Sequence, residues 1–403
     1  MTGIRTIGVV GGGQLARMMA PAAAALGLNL KLLAEAPGSS AAQVIADVTV
    51  GDYADAGVLG AFASGCDAIT FDHEHVPTDL LRDLKASGVL VRPGPDALEH
   101  AQDKAVMRAR LTALGLPCPR WRVVDSVADL VAFGRETGWP VIAKLSRGGY
   151  DGKGVFKIES DADANVPFAA LEGPLGPTER ESATSASGPR PVILAEEFID
   201  FTRELSVIVA RGADGRCLAY PVTETVQADG ICRETTTPAP ALSAERADAL
   251  QALGIAAASE LGVVGLLAVE LMELADGSVV VNELAMRPHN TGHWAIDGAR
   301  TSQFENHLRA VAGLPLGPTD ATAAVAVMSN ILGGSRDDLV GGLADVLAAD
   351  PALRVQLYGK AVKPGRKVGH VTALGDDLAT VAGRARAASE ALEGRRTNLE
   401  EDR

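Results

Sequence analysis

Short apolar segments alternate with longer segments of helical period in the first hundred residues. Residues 4–10, 29–34, 46–50 and 68–71 are short and mostly apolar, and all but the second contain several β-branched side chains, which predicts strands. Residues 14–26 carry the spacing of a helix between the first two strands. Strands that alternate with helices build parallel sheets covered by helices, so this region is predicted to be α/β.

The middle of the chain continues this alternation with longer segments. Residues 96–114 predict one helix that ends at Gly115, and residues 243–261 predict another. Predicted strands cover 139–144, 155–158, 192–198, 205–211, 218–222, 266–273 and 279–283, and the last two are joined by a hairpin turn at Asp276-Gly277. Residues 160–190 lack periodicity and are rich in Pro, Gly, Ser and Thr, which predicts a flexible surface insertion.

Length, charge and composition narrow the class of protein. A chain of 403 residues corresponds to roughly two or three domains. Its net charge of −14 and its aromatic content of 4% argue against a nucleic-acid-binding protein, which needs a basic surface. The sequence contains no apolar run of about 18 residues, so no membrane span is expected.

The cysteines and the N-terminal segment indicate a cytoplasmic protein. The N-terminal segment is too short and too rich in glycine for the apolar region of a secretory signal. The cysteines are widely spaced and form no C-x-x-C pair, which favours reduced thiols over a zinc ribbon or a redox motif; they are Cys66, Cys118, Cys217 and Cys232.

A glycine-rich turn follows the first predicted strand. Residues 11–16 read GGGQLA and match G-x-G-x-x-A, in which glycines let the backbone approach a phosphate at a helix N-terminus. Glu35 ends the second strand, where dinucleotide-binding folds place an acid against the ribose. These features favour an NAD-linked enzyme, and the alternative interpretation is an ordinary turn in an α/β domain.

A second glycine-rich segment, GGYDGKG at residues 148–154, lies between two predicted strands. Its N–H groups can wrap a polyphosphate, and Lys144 and Lys153 supply cations for the phosphate oxygens. The segment does not match the P-loop pattern G-x-x-x-x-G-K-[ST]. We therefore predict a mobile nucleotide-binding flap; the alternative is a glycine-rich hairpin whose lysines face solvent.

Two carboxylates lie in neighbouring apolar strands. Glu270 belongs to LLAVELMEL and Glu283 to VVVNELAMRPHN. A carboxylate in an apolar strand is unfavourable unless it is paired or binds a metal. Two carboxylates and a nearby asparagine suit Mg²⁺, which prefers oxygen ligands. The alternative is a salt bridge from one carboxylate to Arg287.

Basic residues and histidines complete the candidate chemistry. Near the C-terminus a local basic cluster predicts an anion site, with a solvated turn as the alternative; it contains Lys360, Lys363, Arg366 and Lys367. The spacings of His73 with His75 and of His289 with His293 are those of metal ligands, but supporting Cys or Glu residues are missing. We interpret His289, beside Arg287, as a polar active-site residue rather than a zinc ligand.

Taken in order, these motifs resemble the N5-carboxyaminoimidazole ribonucleotide synthetases of bacterial purine biosynthesis, which belong to the ATP-grasp superfamily. The matching segments span residues 8–370 and are GGGQLARM, TFDHEHV, QDK, VIAKLSRGGYDGKG, AEEFIDFTRELS, NELAMRPHNTGHW and LYGKAVKPGRKVGH. The resemblance implies an ATP-grasp fold of α/β and α+β class. It implies a Rossmann-like (pre-ATP-grasp) domain at 1–100, an ATP-grasp domain at 101–315 with its small lobe at about 120–200, and a small β-rich domain at 316–403.

The resemblance also implies roles for individual residues. Those implied to bind ATP are Lys104, Lys144, Gly149, Tyr150, Asp151, Gly152, Lys153, Gly154, Val155, Glu196, Glu197, Phe198, Ile199, Glu204, Gln227, Asn282 and Glu283, with 196–199 as the adenine hinge. Glu270 and Glu283 would hold Mg²⁺. The ribonucleotide would lie against Gln14, Leu15, Glu74 and Asn290, with its phosphate at Lys360, Arg366 and Lys367. The implied catalytic residues are Lys144, Tyr150, Asp151, Lys153, Arg287 and His289.

The implied reaction is the carboxylation of 5-aminoimidazole ribonucleotide, driven by ATP and bicarbonate through carboxyphosphate. Carboxyphosphate hydrolyses readily, so the flap would close over it and exclude water. Asp151 and His289 are both candidates for removing the amine proton. The resemblance further implies a homodimer that binds small-molecule substrates, with no nucleic-acid or membrane partner.

Single positions depart from the family pattern: Lys104 replaces arginine, His75 replaces asparagine, Gln227 replaces histidine and Met286 replaces proline. These changes affect individual nucleotide contacts, above all at Gln227, but not the class of reaction. Other functions stay open at this point. They are another ATP-grasp ligase such as a formate-dependent glycinamide ribonucleotide transformylase, an NAD-linked oxidoreductase, and a non-catalytic nucleotide-binding regulator.

Overall fold

The N-terminal residues form a parallel sheet, as the alternation of apolar segments predicts. The structure, a computed structural model, describes residues 3–148, 154–172, 190–228 and 230–395. The sheet has the order β3-β2-β1-β4-β5 and comprises β1 (Thr6–Val10), β2 (Asn29–Ala34), β3 (Asp47–Val50), β4 (Ala68–Phe71) and β5 (Leu90–Val91). Its helices are α1 (Gln14–Leu26), α2 (Ala56–Ala63), α3 (Thr78–Ala86) and α4 (Pro95–Gln102).

Both faces of this sheet are buried, which explains why its strands are apolar throughout. Val9 and Leu32 pack into a core with α1, whereas their neighbours Val10 and Leu33 pack into a second core on the opposite face. All of these side chains are fully buried. Strands covered on both faces have no polar alternation, as expected for a parallel sheet.

A small antiparallel sheet forms the next layer of the chain. Its order is β6-β9-β7-β8, with β6 (Trp121–Val124), β7 (Val141–Leu145), β8 (Val155–Ile158) and β9 (Ile193–Glu197). Helices α5 (Lys104–Ala113), α6 (Val127–Thr137) and α7 (Val166–Glu172) belong to this region.

The single helix predicted at 96–114 is wrong, because the chain breaks between α4 and α5. Asp103 has an extended backbone, and its carboxylate accepts hydrogen bonds from the N–H groups of Ala105 and Val106. This is the arrangement of a helix N-cap, which satisfies donors left free in the first turn. The break matters because it places Lys104 at the start of α5.

The irregular insertion predicted from residue 160 is also wrong in its first part. A short 3-10 helix covers Asp161–Asp163, and α7 follows it. Phe168 and Leu171 pack against the core of the small sheet. Residues three apart share one face of a helix, so this pair anchors α7 although the surrounding sequence is polar. Residues 173–189 lie outside the described part of the chain.

A large antiparallel sheet joins the middle of the chain to its C-terminal part. Its described strands follow the order β15-β14-β10-β12-β13-β16-β18-β17, with β11 beside β10. They are β10 (Phe201–Arg211), β11 (Cys217–Ala219), β12 (Thr223–Ala228), β13 (Ile231–Thr237), β14 (Gly265–Leu274), β15 (Val279–Ala285), β16 (Val325–Leu332), β17 (Arg354–Leu357) and β18 (Lys367–Gly375). The associated helices are α8 (Ala244–Glu260), α9 (Ala295–Gly298), α10 (Gln303–Ala312), α11 (Leu339–Ala349) and α12 (Leu378–Glu393).

The large sheet contains the predicted hairpin and also includes the strands of the C-terminal part of the chain. Strands β14 and β15 pair on either side of Asp276-Gly277. The strand predicted at 218–222 is shorter and begins at Cys217. The C-terminal strands β16 to β18 extend the sheet of the central region, and α11 and α12 accompany them.

Among the described helices, none has both the length and the apolar character that a membrane crossing requires.

Candidate active site

A cavity of about 560 Å³ lies between the N-terminal sheet and the large sheet. Its walls come from the N-terminal, central and C-terminal parts of the chain. The predicted site residues that line it are Gln14, Leu15, Glu74, Lys104, Glu270, Glu283, Arg287, His289 and Lys360. The structure therefore brings together residues that the sequence places up to several hundred positions apart.

The two predicted metal-binding carboxylates are neighbours across a strand pair. Glu270 of β14 is the direct partner of Glu283 of β15. The next pair is Leu271 with Val281, so Asn282 is an extra residue in β15, a β-bulge. The bulge lets the adjacent residues Asn282 and Glu283 both reach lysines.

These oxygen donors fit a magnesium ion. Burial, together with the charge of Glu270, raises the pKa of the Glu204 carboxyl to about 7, which places a third, less readily ionised carboxyl close to the pair. Within the described residues no group of three or more His, Cys, Asp and Glu side chains converges as a metal site. Mg²⁺ does not need such a cage, because it binds one or two carboxylates together with substrate phosphates and water.

Arg287, the alternative partner predicted for these carboxylates, forms its salt bridge elsewhere. Its guanidinium pairs instead with Glu74, which lies 2.7 Å away on the N-terminal side of the cavity. Burial opposes ionisation of Glu74, but the charge of Arg287 overcomes it and lowers the pKa of Glu74. The salt bridge thereby joins the N-terminal side of the cavity, which carries Glu74, to the large-sheet side, which carries Arg287.

Lys144 is held in a buried network of charges. Its ammonium lies 2.8 Å from Glu196 Oε2 and donates to Asn282 Oδ1 at 3.2 Å. Arg108, which is fully buried, pairs with the other oxygen of Glu196 and donates to the Asn282 carbonyl at 2.8 Å. Burial opposes ionisation of Glu196, but Lys144 and Arg108 outweigh it and lower its pKa.

This network contains a residue that the sequence did not reveal. Arg108 occupies a position four residues after Lys104 on α5, on the face that also carries Leu111. A charged residue on the apolar face of a helix was the available signal. Glu196, which was predicted to belong to the adenine hinge, directs its carboxylate into this network.

Lys104 lies beside the carboxylate pair Glu270 and Glu283 and the start of the glycine-rich segment. Its ammonium lies 3.2 Å from Glu283 Oε1, and its backbone N–H donates to the Ser146 carbonyl at 2.8 Å. Arg147 donates to Asp103 at 2.7 Å, which fastens the segment to the N-terminus of α5. Cations therefore surround the base of the predicted flap.

The predicted flap itself is only partly described. Gly149, Tyr150, Asp151, Gly152 and Lys153 lie outside the described residues. The far end of the segment returns to the small sheet, where the Gly154 carbonyl accepts from Leu145 and Val155 pairs with Lys144.

The predicted adenine hinge connects the small sheet to the large one. Residues 196–199 run from the end of β9 towards β10. Glu197 pairs with Arg120 at 2.7 Å, and the ammonium of Lys157 lies 5.0 Å from the centre of the exposed Phe198 ring. Ile199 is half-buried. Gln227 lies at the end of β12, opposite Cys232. None of these residues lines the cavity described above.

The first glycine-rich turn already contains its anions. Gly12 N–H donates to Glu35 at 3.1 Å, while the N–H groups of Gly13 and Ala16 donate to Asp72 at 3.0 and 2.7 Å. A Cβ on Gly13 would lie 2.0 Å from an Asp72 oxygen. Carboxylates thus occupy the place that a dinucleotide phosphate would need, which disfavours the NAD-linked alternative.

His289 contacts the carboxylate pair on the Glu270 side. Its Nε2 lies 3.1 Å from Glu270 Oε1, and its Nδ1 lies 2.9 Å from Thr291 Oγ1. Asn290 follows it in the same loop. The imidazole therefore links the acidic pair to the loop that carries Arg287.

The predicted phosphate-binding residues are only partly gathered in the cavity. Lys360 lines it and contacts Gln14 Oε1. Arg366 is exposed and Lys367 is half-buried, and neither lines the cavity. The anion site predicted for this cluster therefore stays a prediction for the latter two residues.

Comparison with known proteins decides the family. The ribonucleotide synthetase preATP-grasp domain matches residues 4–102, the ATP-grasp domain 109–304, and the phosphoribosylaminoimidazole carboxylase C-terminal domain 326–384. The N5-carboxyaminoimidazole ribonucleotide synthase of Mycobacterium tuberculosis H37Rv is 48% identical over 95% of this chain and 86% of its own length. The chain belongs to the N5-carboxyaminoimidazole ribonucleotide synthase family. The synthase of Corynebacterium ammoniagenes is 45% identical, covering 97% of this chain and 92% of its own.

Solved structures of the same family share the fold. The synthetase of Thermus thermophilus has a TM-score of 0.83 and 34% identity, covering 98% of this chain and 100% of its own. The Aspergillus clavatus synthase in complex with ADP and 5-aminoimidazole ribonucleotide has a TM-score of 0.84 and 31% identity, with the same coverage. These matches confirm the predicted family and the ATP-grasp fold with its additional N-terminal and C-terminal domains.

Proposed function

We propose that this chain carboxylates 5-aminoimidazole ribonucleotide to N5-carboxyaminoimidazole ribonucleotide in purine biosynthesis, using ATP, Mg²⁺ and bicarbonate. The observation that carries the proposal is that Lys104 and the pair Glu270 and Glu283 line the same cavity as Arg287 and His289. Family membership indicates the class of reaction. The cavity supplies residues for both of its steps, phosphoryl transfer from ATP and carboxyl transfer to the ribonucleotide.

The nucleotide half requires positive charge and a metal. Glu270 and Glu283, with Asn282 beside them, would hold Mg²⁺, which would neutralise charge on the phosphates when it is bound. Lys104 contacts Glu283 and Lys144 contacts Asn282, so both ammonium groups are placed to meet the same phosphates. Phosphoryl transfer depends on such positioning and charge neutralisation more than on covalent help from the protein.

The first step forms carboxyphosphate. A bicarbonate oxygen attacks the γ-phosphorus of ATP, the bond from that phosphorus to the bridging oxygen breaks, and ADP leaves with the electron pair. Lys104 and Lys144 stabilise the charge that develops on the transferred group. The residues predicted to form the flap would exclude water from the product.

The second step transfers the carboxyl group. The exocyclic amine of the ribonucleotide bonds to the carboxyl carbon, directly or after release of CO₂, while the bond from that carbon to the phosphate oxygen breaks and the amine loses a proton. Arg287, fixed by Glu74, and His289, beside Glu270, are assigned to hold bicarbonate and the carboxyl intermediate. The ribonucleotide phosphate is assigned to Lys360, Arg366 and Lys367.

The test measures phosphate release from ATP with each substrate omitted in turn. We expect release only when aminoimidazole ribonucleotide and bicarbonate are both present. Formate with glycinamide ribonucleotide serves as the comparison, because it tests the other ATP-grasp reaction with the same readout. ATP binding without turnover on any ribonucleotide would instead indicate a regulator and contradict the proposal.

The proposal includes a cytoplasmic homodimer. All four cysteines are unpaired, which fits a reducing compartment. Size-exclusion chromatography with light scattering tests the oligomeric state, and a mass of one chain, 41.5 kDa, would contradict the dimer.

A further inference from the structure

We propose that Gln303 is a positioning residue of the carboxylation reaction, which holds the imidazole of His289 in the cavity by clamping the His289 backbone. The inference rests on the proposed function, because that function gives His289 its task. Gln303 itself is fully buried and does not line the cavity.

The clamp consists of two hydrogen bonds between one amide and one residue. Gln303 Oε1 accepts from the His289 N–H at 2.8 Å, and Gln303 Nε2 donates to the His289 carbonyl at 2.8 Å. Both backbone polar groups of His289 are therefore satisfied by a single side chain. Such a paired contact fixes position and orientation together, whereas one hydrogen bond would leave the loop free to pivot.

The neighbouring residues are shaped to admit this amide. A Cβ on Gly292 would lie 2.6 Å from Gln303 Oε1 and 2.4 Å from the Ile208 side chain, so a larger residue there would displace the amide or the isoleucine. Gln303 Nε2 also lies 3.0 Å from Nδ1 of the buried His293. The hydrogen-bonding capacity of Gln303 is thus spent on this one loop.

The backbone position sets the direction of the imidazole. Both ring nitrogens of His289 are engaged, Nε2 with Glu270 and Nδ1 with Thr291, and Thr291 Oγ1 lies 2.7 Å from Ser206 Oγ. Contacts of this length fail when the backbone moves by about 1 Å, and misplacement of that size can lower a rate about 100-fold.

The support behind Gln303 is rigid. It is the first residue of α10, whose N-cap Ser302 accepts from the Glu305 N–H at 3.1 Å. Further along the helix, His307 lies 2.7 Å from Thr70 of the N-terminal sheet. The clamp therefore ties the His289 backbone to α10, and α10 in turn contacts the N-terminal sheet through His307.

The experiment is a double-mutant cycle on the full chain. The kcat for carboxylation and the KM values for ATP and the ribonucleotide are measured for wild type, Gln303→Met, His289→Ala and the double variant. Gln251→Met is the matched control, since Gln251 also donates to a backbone carbonyl, that of Tyr220, away from the cavity. Thermal unfolding of every variant is recorded alongside.

We expect Gln303→Met to lower kcat by about 10- to 100-fold with ATP KM within about twofold. In the His289→Ala background the same substitution should change kcat by less than about twofold, because its effect passes through His289. Gln251→Met should keep kcat within about twofold. If Gln303→Met does not fold, Gln303→Glu, which keeps the acceptor and loses the donor, carries the same cycle.

Two results overturn the inference. One is an unchanged kcat in the Gln303 variant. The other is a double variant whose fold-loss in kcat equals the product of the two single fold-losses, which would indicate that Gln303 acts independently of His289 and has a merely structural role. A wild-type chain that is folded but does not turn over the ribonucleotide would refute the proposed function and this assignment together. Turnover by wild type with either of the first two results refutes the assignment alone.

Discussion

The two glycine-rich segments of this chain follow strands in a similar way but meet opposite charges. At residues 11–13 the backbone N–H groups donate to Glu35 and Asp72. At residues 148–154 the flanking positions lie beside Lys104, Lys144 and Arg147. One turn is therefore neutralised by acids of the protein itself, whereas cations lie at the two described ends of the other segment.

This difference shows what a glycine pattern can and cannot establish. Glycines expose backbone donors and allow a close approach, which is equally useful to a phosphate and to an internal carboxylate. Asp72 follows β4, 59 residues after Gly13, and reaches the turn only because β1 and β4 are neighbours in the sheet. The charge of residues remote in sequence decides which anion a glycine-rich turn binds.

The strongest challenge to this comparison is Lys144→Ala. Removing this cation should lower turnover by about 10²- to 10³-fold, because the transferred phosphate loses a charge that stabilises its transition state. Steady-state phosphate release measures it, with Lys85→Ala on α3 as a control for an exposed lysine. Near-normal turnover would show that the second glycine-rich segment does not serve phosphate transfer.

Asp72→Ala tests the first turn. We expect the free energy of unfolding to fall by about 1–2 kcal/mol, because the N–H groups of Gly13 and Ala16 lose their acceptor at the start of α1. Urea denaturation measures this loss, and Asp79→Ala, an exposed acid on α3, is the control. Calorimetry of the wild type with NADH should show no binding, and tight binding of NADH would reverse the comparison.

Arg366→Ala tests whether the ribonucleotide phosphate binds at the C-terminal basic cluster, since carboxylates already occupy the first glycine-rich turn. Loss of one charge-assisted hydrogen bond of about 1.5 kcal/mol should raise the KM for aminoimidazole ribonucleotide about tenfold. The KM for ATP should stay within about twofold, and Arg300→Ala is the control for an exposed arginine. A change in ATP affinity alone would contradict the separation of the two binding regions.

The smallest expected effect is the pH dependence of Glu35. Burial opposes its ionisation, but the hydrogen bond and charge of His73 lower its pKa in the folded protein. Its ionised form therefore stabilises the fold above its ordinary value near 4.5, and this stabilisation is lost as the pH falls through the lower, folded value. Because the carboxylate is partly exposed, the contribution is below about 1 kcal/mol.

Glu35→Gln isolates this contribution. The difference in melting temperature between wild type and variant should be present at pH 7 and should shrink as the pH is lowered below about 4. Glu245→Gln, on the exposed side of α8, is the control. A difference that grows on acidification would have the wrong sign and would show that ionised Glu35 does not stabilise the first glycine-rich turn.

Local pattern sufficed for the regular elements of this chain. The bounds of α1, β2, β4 and β8 agree with their predicted segments, because each is defined by residues adjacent in sequence. The break at Asp103 and the helix at 166–172 were missed. In the first case a cap residue lay inside a helical pattern, and in the second a short apolar segment, VPFAALE, lies between polar flanks.

The sequence by itself determined the residue types of the site: two carboxylates on paired strands, lysines beside a glycine-rich segment, and the basic and imidazole groups of the loop after β15. The tertiary structure alone decided which charges meet. Arg108 joins Lys144 through Glu196, Asp72 fills the first turn, and Gln303 clamps His289. These contacts join residues remote in sequence, and a buried polar group finds its partner only after the layers have packed.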